Sequence, residues 1–331
     1  MKFRPSKEEA GKIAAEGKYK VLPVSAEILS DILTPIQAMR KLKNVSTHCY
    51  MLESAKQSET WGRYTFLGFE PKLEVTCRGG ELRAGSVRMH TDNPSAVLRD
   101  ILKEYRSPRL DYLPPFTGGL VGYFAYDYYG YREPSVRREV GDTENFKDVD
   151  LMLFDKVIAF DNIHQKIVLI TNISTSDLES AKQKIILIAN MNLSDPETGY
   201  NKAVMEIEHM RDLLLNGEEK KEAPGRLVGE VTPLFDEKRY CEMVEKAKEH
   251  IREGDIFQIV LSNRLSAEFE GSLLGTYRML RTINPSPYMF YFSGTDVEVA
   301  GASPETLVKL EDGVLHTFPL AGTRPRGKTQ A

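Results

Sequence analysis

The sequence has few cysteines and no long apolar run. Its three cysteines, Cys49, Cys77 and Cys241, are far apart and odd in number. That spacing excludes a disulfide framework and the usual zinc-ligand patterns. No stretch approaches the roughly 18 apolar residues that a membrane helix needs, and the charged N-terminus lacks the apolar region of a signal peptide. These absences predict a cytoplasmic globular protein.

Positive charge is not in excess either. There are 44 Lys and Arg residues against 48 Asp and Glu residues, a net charge of −4, which argues against a dedicated nucleic-acid binder. The six histidines show no HExxH or other ligand spacing, so we predict no metal site within the chain. With 331 residues, 41% of them hydrophobic, the chain is long enough for two domains or one large one.

One stretch has the composition of a linker. Asn216–Pro233 is charged, contains Gly and Pro, and lies between two helical patterns. It divides the chain into an N-terminal region, residues 1–215, and a C-terminal region, residues 234–331.

Apolar spacing predicts helices over residues 198–217, 235–254 and 272–283. Gly79-Gly80, Gly294-Thr295 and Asp312-Gly313 separate alternating segments and predict three hairpin turns. Consecutive hairpins of this kind form antiparallel sheets. With helices grouped beside them, they indicate an α+β fold.

Two further segments predict strands. Residues 151–173 are strongly apolar and predict two strands joined through Asp161 and Asn162. The segment from Asp255 to Phe269 alternates with apolar residues on both faces, which indicates a strand covered on both sides. Gln258 lies within it, and a buried amide left unbonded costs roughly 1–3 kcal/mol. Gln258 is therefore either a hydrogen-bonded core residue or a polar group directed into a site.

Two segments near the C-terminus are suited to an anionic ligand. Glu305 follows a predicted strand, where a carboxyl in a partly closed pocket can have a raised pKa and donate a proton. The alternative is a solvated glutamate. The segment "AGTRPRG", residues 321–327, offers backbone N–H groups, a hydroxyl and two guanidiniums for a carboxylate or phosphate. The alternative there is an ordinary basic loop.

A third polar segment surrounds the only tryptophan, Trp61. Glu53, Ser54 and Lys56 could hold a zwitterion, with a carboxylate for an amino group and a cation or hydroxyl for a carboxylate. The alternative is a turn between strands. The residues by themselves therefore indicate an α+β protein with a site for a small anionic ligand.

Four motifs together resemble one family. The segments "GDIFQIVLS", "INPSPYMFYF", "GASPETLV" and "PLAGTRPRG" occur in the order found in the chorismate-utilising enzymes. The similarity is greatest to anthranilate synthase component I, and upstream "MLESA" and "GGLVGYFAYD" also resemble it. It extends from Pro23 to the end of the chain. It implies an α+β fold with large, mostly antiparallel sheets around a central cleft and helices outside.

The resemblance implies a lyase of tryptophan biosynthesis that uses chorismate and magnesium. Such an enzyme adds ammonia to chorismate, loses the C4 hydroxyl and eliminates pyruvate to leave anthranilate. The ammonia comes from glutamine through a glutamine amidotransferase subunit, component II. L-tryptophan inhibits the enzyme by allosteric feedback.

The resemblance also assigns catalytic and substrate-binding residues. Glu305 matches the general acid that protonates the departing hydroxyl, and Ala321, Gly322 and Thr323 match a loop that binds a chorismate carboxylate. Relatives that add water have a lysine base at the position of Gln258, and a glutamine cannot take up a proton near pH 7. Aminodeoxychorismate synthase typically has a lysine where Ala321 stands. Both positions favour anthranilate synthase.

The tryptophan site implied by the resemblance consists of Glu53 and Ser54 with Pro287, Tyr288 and Met289. More than 230 residues separate the two segments, so they must meet in the fold. Inhibition then requires coupling between this site and the catalytic cleft.

The family pattern continues past this sequence. Its later part carries a catalytic histidine and the carboxylates that hold magnesium, so we expect the metal ligands beyond Ala331. We also expect a piece of a longer protein, with the C-terminal part of the fold missing and no activity alone. The alternatives are aminodeoxychorismate synthase component I and a non-catalytic fragment that binds tryptophan.

Overall fold

The computed structural model describes residues 1–55, 62–136, 144, 146–175, 198–311 and 313–319. The chain divides into two compact units. The larger unit contains Met1–Lys220 and the segment that starts at Tyr277, and the smaller unit is Lys221–Thr276. Within the described ranges, no helix is long and apolar enough to cross a membrane.

The described residues form six α-helices, which are α1 (Lys7–Ala15), α2 (Pro35–Val45), α3 (Pro94–Glu104), α4 (Thr198–Asn216), α5 (Glu237–Glu253) and α6 (Leu273–Ile283). The three predicted helices correspond to α4, α5 and α6 and are confirmed. Asp236 caps the start of α5 by accepting a hydrogen bond from the Arg239 N–H, and Gly254 ends it with φ 84°. A left-handed residue at this point is typically glycine.

The larger sheet has eight strands, in the spatial order β1 (Phe3–Arg4), β2 (Val21–Leu29), β11 (Lys166–Ser174), β10 (Lys156–Asp161), β4 (Tyr64–Phe69), β3 (Cys49–Glu53), β14 (Tyr288–Ser293) and β15 (Glu298–Ser303). The smaller sheet has five, in the order β7 (Val87–His90), β6 (Glu81–Ala84), β5 (Leu73–Arg78), β9 (Val149–Phe154) and β8 (Gly119–Phe124). Short 3₁₀ helices follow β8 at Tyr126–Tyr131 and Pro134–Val136.

Two separate two-stranded sheets complete the strands of the described residues. They are β12 (Arg226–Pro233) with β13 (Leu265–Glu270), and β16 (Lys309–Glu311) with β17 (Val314–His316). The paired strands of all four sheets run antiparallel. The predicted α+β class with large antiparallel sheets is therefore confirmed, as are hairpins β5–β6, β14–β15 and β16–β17.

Residues 151–173 contain parts of three strands, not the predicted two. β9 belongs to the smaller sheet and β10 to the larger one, and Asp155 is the residue between them. The Asp155 carbonyl accepts hydrogen bonds from the backbone N–H and side-chain amide of Asn172, at 2.9 and 3.1 Å. The predicted turn after Asp161 is confirmed. The sequence did not reveal that the chain passes from one sheet to the other at Asp155, because β9 and β10 are both buried along nearly their whole length.

The strand predicted for Asp255–Phe269 is present only at its end, in β13. Residues 256–264 form no strand. Phe257 and Val260 are 101% and 82% exposed, and Gln258 is exposed too, so the expectation of a buried amide was wrong. A strand needs neighbouring backbone groups to pair with, and none of the described strands lies beside this segment.

The predicted linker, Asn216–Pro233, is partly a strand. Its second half is β12, which pairs with β13 and places Leu227 opposite Phe269. Almost every residue of β12 is exposed. Charge and Gly/Pro content therefore did not distinguish an exposed strand from a linker.

One hydrophobic cluster contains residues of both the larger and the smaller sheet. Tyr50 of β3 and Phe292 of β14 pack with Met152 and Phe154 of β9. Since side chains alternate along a strand, Tyr291 of β14 points to the opposite face of the larger sheet. Helices α2 and α4 contact this sheet and each other, so the sheet is covered on both faces.

Asp161 is a buried carboxylate at the end of β10. Its side chain is 1% exposed and accepts a hydrogen bond of 2.7 Å from Arg63. The backbone N–H of His164 donates to it at 3.1 Å. Burial acts to raise the pKa of Asp161, but the bonds from Arg63 and His164 outweigh it and lower the pKa to about 2.

Asp161 is therefore expected to make stability depend on pH in acid. Because its pKa is lower in the folded than in the unfolded chain, its contribution is present above pH 4 and is lost as pH falls toward 2. Asp161→Asn should lower the free energy of unfolding at pH 7 by about 2 kcal/mol and flatten its pH dependence between pH 2 and 4. Urea unfolding across this range measures both effects. Asp100→Asn, at an exposed residue paired with Lys103, is the control, and equal slopes in both variants would contradict the assignment.

Candidate functional site

The two segments predicted to form a ligand site lie side by side in the larger sheet. β3 pairs with β14, with Glu53 opposite Met289 and Leu52 opposite Phe290. Just beyond β3, the Ala55 N–H donates to the Ser286 carbonyl at 3.0 Å. The prediction that these distant segments meet is confirmed.

Glu53 is a buried carboxylate held by helix α6. Its side chain is 6% exposed. The Tyr277 hydroxyl donates to it at 2.5 Å. The Arg281 guanidinium donates through Nη2 at 2.8 Å, and its Nε lies 2.6 Å from Oε1 in the same ion pair. Burial and the neighbouring Glu53 charge both raise the pKa of Tyr277, so its hydroxyl stays protonated and remains a donor.

Sequence reasoning missed Tyr277 and Arg281. Their spacing of four residues puts both side chains on one face of α6. A tyrosine and an arginine on one helix face could have indicated an anion partner, but nothing in the sequence pointed to Glu53 as that partner.

The remaining predicted tryptophan-site residues lie close to Glu53 in the chain or at the start of β14, next to the end of β3. Ser54 follows β3 and is partly buried, as are Pro287 and Tyr288, and Met289 is 3% exposed. Lys56 and Trp61, near the same segment, lie outside the described residues. The structure thus brings all five predicted tryptophan-site residues to one end of the β3–β14 pair.

A second buried polar group lies along the same strands. The Lys43 ammonium, on α2, donates to the Tyr291 hydroxyl at 2.6 Å and to Glu298 at 2.9 Å. The Tyr291 hydroxyl also donates to Glu298. The rings of Tyr291 and Tyr277 are 6.0 Å apart. Lys43 therefore ties α2 to both β14 and β15 close to the helix that holds Glu53.

Glu305 lies two residues after β15 and is exposed. The Ser303 hydroxyl donates to its backbone carbonyl at 3.3 Å, and the neighbouring Thr306 hydroxyl lies 2.6 Å from the Tyr288 hydroxyl. Glu305 belongs to the larger unit and Gln258 to the smaller one. A contact between these two predicted catalytic residues stays a prediction.

The predicted substrate-binding loop lies outside the described residues. This applies to Ala321, Gly322 and Thr323, and equally to Arg324 and Arg326. Their assignment to a chorismate carboxylate therefore stays a prediction.

One group in the described part of the chain has metal-ligand spacing. His250, Glu253 and Asp255 place their ligand atoms within 4.8 Å of one another at the end of α5. His250 Nδ1 is 2.8 Å from Asp255. Magnesium prefers an octahedral set of oxygens, so a set with an imidazole and a surface carboxylate pair does not fit that ion. This group is therefore not assigned to magnesium.

The sequence of this chain is similar to those of known proteins over nearly its whole length. The chorismate binding enzyme family matches residues 47–331. Anthranilate synthase component 1 of Acetivibrio thermocellus is 34% identical over 342 residues, covering 99% of this chain and 64% of the relative. The protein of the same name from Acinetobacter calcoaceticus is 33% identical and covers 94% and 62%.

A solved structure is similar as well. Anthranilate synthase component I from Streptococcus pneumoniae TIGR4 superimposes with a TM-score of 0.55 at 26% identity, covering 87% of this chain and 59% of that one. The chain thus spans less than two thirds of the length of these relatives. Since the family match covers most of its residues, the chain belongs to the chorismate binding enzymes.

Proposed function

We propose that this protein serves as the large subunit of an anthranilate synthase. It would convert chorismate and ammonia into anthranilate and pyruvate in tryptophan biosynthesis. The observation that carries this proposal is the similarity to relatives named anthranilate synthase component 1, which extends over 94–99% of this chain. A similarity of that extent includes the N-terminal segments as well as the chorismate motifs.

The residue at position 258 supports ammonia as the nucleophile. Water must lose a proton when it attacks, which requires a base near the substrate. The amide of Gln258 cannot accept a proton near pH 7, whereas unprotonated ammonia already carries a reactive lone pair. Ammonia addition therefore suits this chain better than water addition.

Glu305 is proposed as the general acid. A carboxylic acid beside the C4 hydroxyl of chorismate can protonate it and so turn it into water, a better leaving group. The position of Glu305 supports this role, because it lies just beyond β15 on a short segment attached to the sheet. Gly322 and Thr323 would hold a substrate carboxylate by backbone N–H and hydroxyl donors.

Magnesium and a partner subunit complete the proposal. The ion would bind the substrate's carboxylates and neutralise their charge, and its ligands would come from outside the described residues. A glutamine amidotransferase subunit would supply the ammonia.

L-tryptophan is the proposed feedback inhibitor. Glu53 accepts two hydrogen bonds, one at Oε1 from the Tyr277 hydroxyl and one at Oε2 from Arg281 Nη2, and its Oε1 also lies 2.6 Å from Arg281 Nε. A carboxylate offers about four acceptor positions. The position that remains on Oε2 can receive the ammonium group of an amino acid. The indole would lie against Pro287 and Met289, where β14 pairs with β3.

A second candidate function is a regulatory chain that binds tryptophan and lacks the chemistry. It is favoured by one observation: β3 and β14 bring the five predicted tryptophan-site residues together, with Glu53 opposite Met289. This candidate keeps the Glu53 site and makes no anthranilate.

A product assay tests the proposed function. The chain is incubated with chorismate, magnesium and a high concentration of ammonium at alkaline pH, which removes the need for an amidotransferase. Anthranilate, detected by its fluorescence, supports the proposal, and aminodeoxychorismate or isochorismate as the product would contradict it. If no product forms but tryptophan still binds, the regulatory chain becomes the better description.

A further inference from the structure

We propose that Tyr288 is a positioning residue for Glu305. Its hydroxyl lies 2.6 Å from the Thr306 hydroxyl, and Thr306 is the residue next to Glu305. The hydrogen bond would fix residues 304–308, called here the Glu305 loop, against the sheet. The inference rests on the proposed function only where it names Glu305 as the acid.

The Glu305 loop buries little apolar surface. It forms no strand, and two of its apolar side chains, Leu307 and Val308, are 90% and 54% exposed. Burial of apolar surface therefore contributes little to its position. The Ser303 hydroxyl donates to the Glu305 carbonyl at 3.3 Å and the Thr317 hydroxyl to the Leu307 carbonyl at 3.4 Å. Both bonds are longer than the one between Tyr288 and Thr306.

The other end of this hydrogen bond is rigid. Tyr288 begins β14 and lies opposite Ser303, the last residue of β15. β14 pairs with β3 on its other side, so its backbone is bonded from both directions. A hydroxyl carried by a central strand is a fixed reference point for a loop that leaves the neighbouring strand.

The same residue adjoins the proposed tryptophan site. Tyr288 precedes Met289, which lies opposite Glu53. A ligand bound at Glu53 would therefore stabilise the start of β14, which carries the Tyr288 hydroxyl, and through Thr306 the Glu305 loop. This is a physical connection of two side chains between the proposed inhibitor site and the proposed acid.

Hydrogen exchange of the ligand-free chain tests the positioning role. Amides of the Glu305 loop should exchange about fivefold faster in Tyr288→Phe, the effect of losing one hydrogen bond of about 1 kcal/mol. Thr306→Val should reproduce this, and Thr306→Ser, which keeps a hydroxyl, should restore the slower rate. Tyr128→Phe is the matched control, because it removes a similar hydroxyl pair with Ser95 at 2.7 Å, far from this loop in the sequence.

Unchanged exchange of the Glu305 loop in Tyr288→Phe would overturn the inference, and so would equal acceleration in Thr306→Ser. A second arm adds L-tryptophan. The wild-type loop should then change its exchange rate, and the loop of Thr306→Val, which leaves the tryptophan-site residues unchanged, should not, although tryptophan still binds. Absence of tryptophan binding would count against the proposed feedback inhibition, while the ligand-free comparison would still decide the role of Tyr288.

Discussion

Replacing Glu53 with alanine is expected to lower the free energy of unfolding by about 3 kcal/mol and to abolish tryptophan binding. The substitution leaves the Arg281 guanidinium and the buried Tyr277 hydroxyl without the acceptor that they share. Removing one member of a buried ion pair costs about 3–5 kcal/mol, and the lower value applies because Arg281 is 32% exposed. The ligand's ammonium group would lose its carboxylate at the same time.

Urea unfolding and calorimetry with L-tryptophan measure the two effects of Glu53→Ala. Glu27→Ala is the matched control. Like Glu53, Glu27 is a strand glutamate in an ion pair, with Lys166 at 2.8 Å, but its side chain is 45% exposed. Exposed pairs contribute at most about 1 kcal/mol. Equal destabilisation by both substitutions, or tryptophan binding by Glu53→Ala at wild-type affinity, would contradict the assignment.

Lys43→Met is expected to be comparably destabilising, by about 3 kcal/mol. The Lys43 side chain is 6% exposed and Glu298 is 25% exposed. Methionine preserves most of the apolar stem but leaves the Glu298 carboxylate without its cation, and Tyr291 without a donor from α2. The loss falls on β14 and β15, the strands that lead to Glu305.

Thermal or urea unfolding tests the Lys43 prediction. Lys12→Met provides the control because Lys12 pairs with Glu8 on α1 with both side chains more than 70% exposed, and it should change stability little. Replacing Glu298 by leucine in the Lys43→Met background should recover part of the loss, since the carboxylate that has lost the Lys43 ammonium is then removed. A Lys43→Met variant as stable as Lys12→Met would show that the buried pair does not support these strands.

Local signals predicted the elements that depend on local interactions. Hairpin turns at Gly79-Gly80 and Gly294-Thr295 follow from residues that accept turn geometry, and Gly79 and Gly80 indeed have φ of 55° and 86°. The end of α5 follows from Gly254 and its start from Asp236. These features depend on the chain within a few residues, so the sequence contains the needed information.

Elements that depend on distant partners were predicted less well. The alternating pattern around Gln258 favours a strand, but residues 256–264 have no described strand beside them and stay irregular. β12 formed within the predicted linker because β13 pairs with it. Strand propensity states how well a residue fits a sheet, and the presence of a neighbouring strand decides whether it joins one.

In the candidate site too, contacts between distant segments could not be predicted from local sequence. The meeting of Glu53 with Met289 came from the family resemblance and not from any local pattern. Tyr277 and Arg281 were missed because their role depends on how α6 packs against the end of β3. Likewise, the contact between Tyr288 and Thr306 follows from the register of β14 and β15, which the hairpin turn alone left open.

Titration calorimetry of L-tryptophan with this chain and its Ser54→Phe variant is the decisive test of the proposed tryptophan site. The wild-type chain should bind tryptophan saturably at one site. Ser54→Phe should bind it at least tenfold more weakly, because a phenyl ring beside Glu53 would occupy the space of the ligand. A wild-type chain that unfolds cooperatively but gives no binding heat, or equal affinity in both proteins, would contradict the assignment of Glu53, Ser54 and β14 to a tryptophan site.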